Sequence, residues 1–146
     1  RAKLGARVLG DAAALKRLEA IIHPLVRADA DAFLAMHRNA GESIAVLDIP
    51  LLFETGGRGR VDKVVVVTAP TEIQRQRVLA RPGMTVDKLE HLLARQLPDA
   101  EKRARADFVV DSSTGLADMH AKIDTLIESL RGRKGRVMER LRHQYS

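Results

Sequence analysis

Short apolar runs alternate along this chain with segments in which apolar residues recur at helical spacing. Three runs, at residues 44–47, 63–68 and 107–111, have few polar interruptions and predict strands of a buried sheet. The segments before, between and after them predict amphipathic helices. Strands that alternate with helices indicate an α/β fold, in which parallel strands are joined by right-handed crossovers.

The stretch from Ser43 to Glu54, SIAVLDIPLLFE, is expected to organise this fold. Its apolar run predicts a strand that ends at Asp48, and Pro50 cannot donate a hydrogen bond to a sheet ladder. Asp48 is therefore expected at the carboxyl edge of the sheet, where open α/β proteins bind ligands. An ordinary polar exit from a buried strand explains the same pattern, and the pattern by itself favours that simpler interpretation.

The N-terminal region predicts two helices separated by His23-Pro24. Gly10-Asp11 offers an N-cap to the first helix, and a residue before proline is pushed out of the α conformation, so we expect a kink or a break at this pair. A histidine at such a bend more often packs or caps than binds a ligand. The second helix is predicted to end at residues 39–41 and to bury Val26, Phe33, Leu34 and Met36.

The helix predicted over residues 71–81, with Thr71 as its cap, carries candidate binding residues. Gln74, Arg77 and Arg81 recur at a spacing that places them on one face. Guanidinium forks bind phosphate oxygens in bidentate fashion, although a solvated helix face explains the same three residues.

A second helix is predicted over residues 85–97, with Thr85 as its cap and Arg95 near its end. A turn at Arg81-Pro82-Gly83 joins it to the preceding helix. The two helices therefore predict a hairpin that could fold over a site. A last amphipathic helix begins at Leu116, and a basic segment follows it; the predicted inward residues of the helix are Met119, Ile123, Leu126, Ile127 and Leu130.

Composition narrows the possible functions. The 146 residues fit one domain with a core, and the absence of cysteine excludes disulfides, thiolate metal sites and cysteine nucleophiles. No apolar run reaches the roughly 20 residues of a membrane span and no secretory signal opens the chain, so we expect a cytoplasmic protein. Since the chain begins at Arg1 and not at Met, we also expect it to be part of a longer protein.

The positive charge is concentrated at one end of the chain. Residues 131–146 hold six basic side chains and one acidic one, which accounts for +5 of the net +6. Aromatic residues make up only 3% of the chain, so few platforms exist on which bases could stack. A nucleic-acid binder that acts through the basic tail is thus an alternative that the nearly neutral body disfavours.

Several motifs, taken in order, resemble bacterial dephospho-coenzyme A kinase over residues 15–130. They are LEAIIHPLV (18–26), DIPLLFE (48–54), VDKVVVVTAPTEIQRQRVLAR (61–81), LARQL (93–97) and RADFVVDSSTGL (105–116). The resemblance implies a P-loop kinase fold and phosphoryl transfer from ATP, with Mg²⁺, to the ribose 3′-hydroxyl of dephospho-coenzyme A, the last step of coenzyme A synthesis. Another nucleotide kinase of the P-loop class is the alternative.

The same resemblance divides the chain into regions. It implies a helical substrate-binding region over residues 1–42, a partial nucleotide-binding core over 43–70 and 105–131, a lid over 71–104 and a basic tail over 132–146. Arg77 and Arg81 match the lid arginines that clamp the transferring phosphoryl group. The other implied site residues are His23, Asp48, Gln74 and Arg95 on the substrate side and Asp111, Ser112 and Gly115 in a loop beside adenine, where DSSTG replaces a loop that commonly contains asparagine.

One part of the family pattern is missing from this sequence. The family begins with a strand, a GxxxxGKS-type P-loop with its helix, and a D-A-D segment with the presumed catalytic base. No P-loop string occurs in this sequence, so we expect that this whole front segment is not among these residues. These residues therefore hold no predicted metal ligand, and we expect no catalysis by the fragment alone. In the family's strand order, 2-3-1-4-5, the missing strand lies between residues 44–49 and 63–68, so its loss is expected to leave two unpaired strand edges.

Overall fold

The computed structural model describes Leu4, Val8 and residues 11–137. These residues fall into two compact units, one with the described residues up to Leu47 and the other with Asp48–Val137. The elements are α1 (Ala12–Asn39), a 3₁₀ turn (Gly57–Arg60), β1 (Val65–Thr68), α2 (Thr71–Leu79), α3 (Val86–Leu93), α4 (Asp99–Arg105), β2 (Phe108–Asp111) and α5 (Leu116–Leu130). None of the helices in these ranges has both the length and the apolar character that crossing a membrane requires.

The first unit is built on α1, one helix of 28 residues. Its N-cap is Asp11, as predicted, whose Oδ1 accepts hydrogen bonds from the N–H groups of Ala13 and Ala14, both at 2.9 Å. The predicted break at His23-Pro24 is wrong, because Pro24 lies inside the helix. Proline removes a single backbone donor, and the hydrogen bonds of the turns on either side carry the helix past it. The predicted end at residues 39–41 is confirmed.

Fewer apolar side chains of α1 are buried than the sequence predicts. Leu34 is buried, but Val26, Phe33 and Met36 are 59%, 38% and 58% exposed. A helix buries its apolar stripe only where another surface packs against it. The described residues provide such a surface at Leu34 and leave most of the stripe exposed.

The second unit holds a two-stranded parallel sheet. Val65 of β1 pairs with Phe108 of β2, and the register runs to Thr68 opposite Asp111. Two of the three predicted strands are thus confirmed. The predicted strand at residues 44–47 is wrong, since this stretch belongs to no sheet, and Val46 is 79% exposed. A strand requires a neighbour for its ladder of hydrogen bonds, and no neighbour lies beside this stretch in the described ranges.

The helices of the second unit differ from prediction mainly at their ends. Thr85 caps α3 as predicted and accepts the Lys88 N–H at 3.3 Å, whereas Thr71 makes no cap and Pro70 takes the N-cap position of α2. The two helices end at Leu79 and Leu93, before the predicted ends at 81 and 97. The sequence did not predict α4. All five residues predicted to face inward on α5 are half-buried.

The Asp107 side chain joins the amino-terminal ends of the two strands by hydrogen bonds. Its carboxylate accepts hydrogen bonds from Arg58 Nη2, Lys63 Nζ and the Val64 N–H, each at 2.9 Å. The Lys63 hydrogen bond, followed by the Val64 N–H and the charges of Arg58 and Lys63, outweighs the effect of burial and lowers the pKa of Asp107. The carboxylate therefore connects the entry of β1 with the start of β2.

We expect Asp107→Asn to destabilise the full-length gene product by about 2 kcal/mol at pH 7, because charged hydrogen bonds are lost at a side chain that is 19% exposed. Folding lowers the pKa of Asp107. The ionised carboxylate therefore stabilises the folded protein above its unfolded pKa of about 3.9, and this stabilisation is lost as the pH falls through the folded pKa. Urea unfolding at pH 7 and pH 3 measures both effects. Asp124→Asn, at an exposed position of α5, is the control. An equal loss of stability at both pH values would contradict the stabilising role of the ionised Asp107 carboxylate.

Candidate functional site

The carboxyl ends of β1 and β2 form the edge at which open α/β sheets bind ligands. Thr68 and Asp111 end the two strands in register. The Ser112 N–H donates to the Thr68 carbonyl oxygen at 2.8 Å and continues the ladder by one residue. The Thr68 hydroxyl donates to Asp99 Oδ1 at 2.8 Å and so brings the start of α4 to this edge.

The loop after β2 is held in a turn by Asp111. Asp111 Oδ1 accepts hydrogen bonds from the Ser113 N–H at 2.8 Å and the Ser113 hydroxyl at 2.6 Å. These two bonds, the side-chain one first, lower the pKa of Asp111. Gly115 has a φ of +96°, which a side chain would strain, and it is the N-cap of α5. The predicted nucleotide loop is therefore an ordered connection from strand to helix.

Arg77 reaches this loop from α2. Its Nη1 donates to the Ser112 hydroxyl oxygen and its Nη2 donates to the Ser112 carbonyl oxygen, both at 2.9 Å. The two arms of one planar guanidinium thus hold two oxygens of one residue, which fixes the plane of the group. The structure brings together two residues that the sequence predicted separately, one for the phosphoryl group and one for the adenine side.

Gln74 and Arg81 are exposed, Gln74 on α2 and Arg81 in the turn beyond its end. Between the predicted positions lies Arg75, whose Nη1 donates to Glu90 Oε1 of α3 at 2.5 Å. This ion pair joins α2 to α3. The hairpin predicted for residues 71–97 therefore has a cross-link that the sequence analysis did not identify.

The DIPLLFE motif forms a tight turn whose last residue binds another motif. Leu51 has a φ of +59°, a left-handed conformation that costs a leucine roughly 1–2 kcal/mol. Glu54 Oε1 accepts the Leu97 N–H at 2.8 Å, and Lys102 Nζ lies 3.9 Å from the same oxygen. Burial raises the pKa of Glu54, but the Leu97 hydrogen bond and the nearby cations outweigh it and lower the pKa.

Three further predicted site residues lie at other positions of the described ranges, namely His23, Asp48 and Arg95. His23 lies on exposed α1, in the other compact unit. Asp48 is exposed and is the first residue of the DIPLLFE motif. Arg95 is exposed in the turn between α3 and α4, two residues before the N–H that Glu54 binds.

Four residues with a clear part in this architecture were missed: Glu54, Arg75, Asp99 and Lys102. Glu54 was visible as the charged residue that closes the apolar stretch of the DIPLLFE motif. Asp99 follows Pro98, and proline followed by acidic residues is typical of a helix start. Arg75 shows no signal in the sequence, because its neighbours on α2 carry the same polar character.

Comparison with known proteins assigns the family. A sequence model described as dephospho-CoA kinase matches residues 1–118. A dephospho-CoA kinase from Mesorhizobium japonicum is 77% identical over 135 residues, which cover 92% of this chain and 68% of that protein. The chain belongs to the dephospho-CoA kinase family. It spans about two thirds of the length of the curated relatives that it matches.

Solved structures agree with this family. A structure of TT1252 from Thermus thermophilus has a TM-score of 0.67 and 34% identity, with 90% of this chain and 68% of that chain covered. Dephospho-CoA kinase from Campylobacter jejuni has a TM-score of 0.52 and 27% identity, with 89% and 63% covered. The predicted dephospho-CoA kinase family, the α/β fold and the kinase class are confirmed. The family does not favour a nucleic-acid binder.

Proposed function

We propose that the full-length gene product transfers the γ-phosphoryl group of ATP to the ribose 3′-hydroxyl of dephospho-coenzyme A, the final step of coenzyme A synthesis. Family membership supports the reaction. The observation that supports a role for this chain in it is the pair of hydrogen bonds by which Arg77 is held at the carboxyl edge of the parallel strands. A fixed guanidinium at that edge suits an anionic ligand.

In the proposed reaction the bond from the γ-phosphorus to the bridging oxygen of ADP breaks and a bond to the 3′-oxygen forms. The 3′-hydroxyl releases its proton in the same reaction. Negative charge on the phosphoryl oxygens has to be balanced throughout the transfer. Arg77 and Arg81 are proposed to supply that balance, Arg77 through the N–H groups that Ser112 leaves available. Arg81, exposed beyond the end of α2, would approach as the hairpin of α2 and α3 moves.

The other roles follow the same proposal. Asp111, Ser112 and Gly115 would line the adenine side, since their loop is ordered beside Arg77. His23, Asp48, Gln74 and Arg95 are proposed on the substrate side. The four regions implied by the resemblance, including the lid over residues 71–104, and the cytoplasmic location stay predictions of the sequence.

Mg²⁺ accompanies ATP in this chemistry. No group of three or more histidine or carboxylate side chains in residues 11–137 is arranged to hold a metal ion. We assign no step of the mechanism to the metal ion.

The proposal predicts that the full-length gene product forms ADP from ATP only when dephospho-coenzyme A is present, with coenzyme A as the second product by mass spectrometry. Nucleoside monophosphates, tested as acceptors at the same concentration, are the control. Phosphorylation of a nucleoside monophosphate without phosphorylation of dephospho-coenzyme A would replace this function by the other P-loop nucleotide kinase.

A further inference from the structure

We propose that Ser112 is the positioning residue of Arg77: it fixes the plane of the guanidinium at the carboxyl edge of the sheet before any ligand binds. This inference rests on the proposed function, in which Arg77 acts on the phosphoryl group. The family resemblance implied only that Ser112 lies in the loop beside adenine.

The Ser112 hydroxyl has one proton, and its direction is set by the strand. Ser112 Oγ donates to the Thr68 carbonyl oxygen at 3.0 Å, and the Ser112 N–H donates to that same oxygen. Because the proton is used there, the lone pairs of Oγ are left to accept, and Arg77 Nη1 donates to them at 2.9 Å. The hydroxyl therefore connects the end of β1 with the guanidinium.

A second hydrogen bond between Arg77 and Ser112 restrains the orientation of the guanidinium plane. Arg77 Nη2 donates to the Ser112 carbonyl oxygen at 2.9 Å, so both arms of the fork are held by one half-buried residue. Two of the five N–H donors of the guanidinium are used within the described ranges, and three remain for the oxygens of a ligand. Positioned this way, Arg77 is restrained before the reaction and loses less freedom when it acts.

The neighbouring Ser113 shows that the arrangement is specific to one hydroxyl. Ser113 Oγ donates to Asp111 Oδ1 and stabilises the loop from within. Only the Ser112 hydroxyl lies between Thr68 and Arg77 in the described structure. Loss of this hydroxyl is therefore expected to act through Arg77 and not through the folding of the loop.

A double-mutant cycle in the full-length gene product tests this dependence. Ser112→Ala is expected to lower kcat for dephospho-coenzyme A about tenfold, as the loss of a hydrogen bond to a charged group does, and Ser112→Thr to restore most of it. In an Arg77→Ala background, Ser112→Ala should change kcat by less than about twofold. Ser129→Ala, which removes a hydroxyl bonded to the Leu126 carbonyl of α5, is the matched control and should leave kcat unchanged.

Two results would overturn the proposal. One is a Ser112→Ala variant as active as Ser129→Ala; the other is an equal loss of kcat with and without Arg77, which would mean that Ser112 acts independently. A wild-type protein that does not phosphorylate dephospho-coenzyme A would instead refute the proposed function. An Arg77→Ala variant of unchanged rate would remove Arg77 from the mechanism and overturn the catalytic role of its positioning.

A ligand-free measurement tests the contact without any activity. In ¹⁵N NMR of the full-length protein, rotation of the Arg77 guanidinium about its Nε–Cζ bond should be slow, because both arms are held. Ser112→Ala should make this rotation faster, and Ser129→Ala should not. Equal rotation in wild type and Ser112→Ala would overturn the positioning role whatever the enzyme's substrate.

Discussion

Arg77→Ala in the full-length gene product is expected to lower kcat for dephospho-coenzyme A phosphorylation roughly a thousandfold, since an arginine that neutralises a transferring phosphoryl group contributes on this scale. The geometry supports this size of effect, because the guanidinium is already held at the edge of the sheet by two hydrogen bonds of 2.9 Å. A coupled assay for ADP at saturating concentrations of both substrates measures the loss.

Two further variants show what the loss means. Arg77→Lys keeps the charge but not the planar fork, so it should recover only a small part of the rate. Arg131→Ala removes an arginine that is 66% exposed at the end of α5 and should change kcat little. An unchanged kcat in Arg77→Ala would remove Arg77 from the mechanism, and equal losses in Arg77→Ala and Arg131→Ala would point to a general effect of charge.

The parts of the fold that the sequence predicted well are those in which local pattern and tertiary contact agree. The valine run before Thr68 and the apolar centre of DFVVD specify strands, and each finds the other as a parallel neighbour. Thr85 caps α3 because the capping bond lies within one turn of chain. The β1–β2 pair and the Thr85 cap depend on no other part of the chain.

The stretch at residues 44–49 shows why the same reasoning failed elsewhere. Its apolar residues resemble those of β1, but an apolar run becomes a strand only when another strand pairs with it. Pro24 is the opposite case, since the local preference of residue 23 for an extended conformation was overruled by the helix on both sides. α4 was missed because DAEKRAR has no apolar periodicity, although its acidic start and basic end match the helix dipole.

In the candidate site, the residue types were predictable and their contacts were not. Helical spacing placed Arg77 on a polar face, and the strand pattern placed Ser112 just after a strand end. The hydrogen bonds between them depend on how α2 lies against the loop after β2, 35 residues away along the chain. Glu54 and Leu97 are likewise 43 residues apart, so only the folded chain shows that the DIPLLFE motif binds the end of LARQL.

Produced by itself, the 146-residue chain is expected not to fold cooperatively. Only four hydrophobic side chains in the described ranges are buried, namely Leu34, Val64, Leu89 and Val110. Val46, Val65 and Val67, which lie in the two stretches predicted to flank the missing strand, are 79%, 42% and 65% exposed. Since burial of apolar area is the main favourable term in folding, at roughly 25 cal/mol per Å², these exposed surfaces leave the chain with little to oppose its conformational entropy.

The sheet adds a second reason for the same result. β1 pairs with β2 on one side, and no described strand covers its other edge. An unpaired edge with exposed valines is a template for pairing with another chain, so aggregation should accompany the loss of cooperativity. The strand order implied by the family resemblance places a strand at this edge, between residues 44–49 and 63–68. A full-length member of the family that contains this strand should therefore melt cooperatively under conditions in which the 146-residue chain does not.

Thermal unfolding followed by circular dichroism, light scattering and a two-dimensional NMR spectrum of both proteins measures the difference. The 146-residue chain should show a broad, concentration-dependent transition and poorly dispersed amide signals. A sharp, reversible melt with well-dispersed signals would contradict the prediction. It would mean that α1 and the 44–49 stretch bury their apolar residues in solution against the chain's own surface.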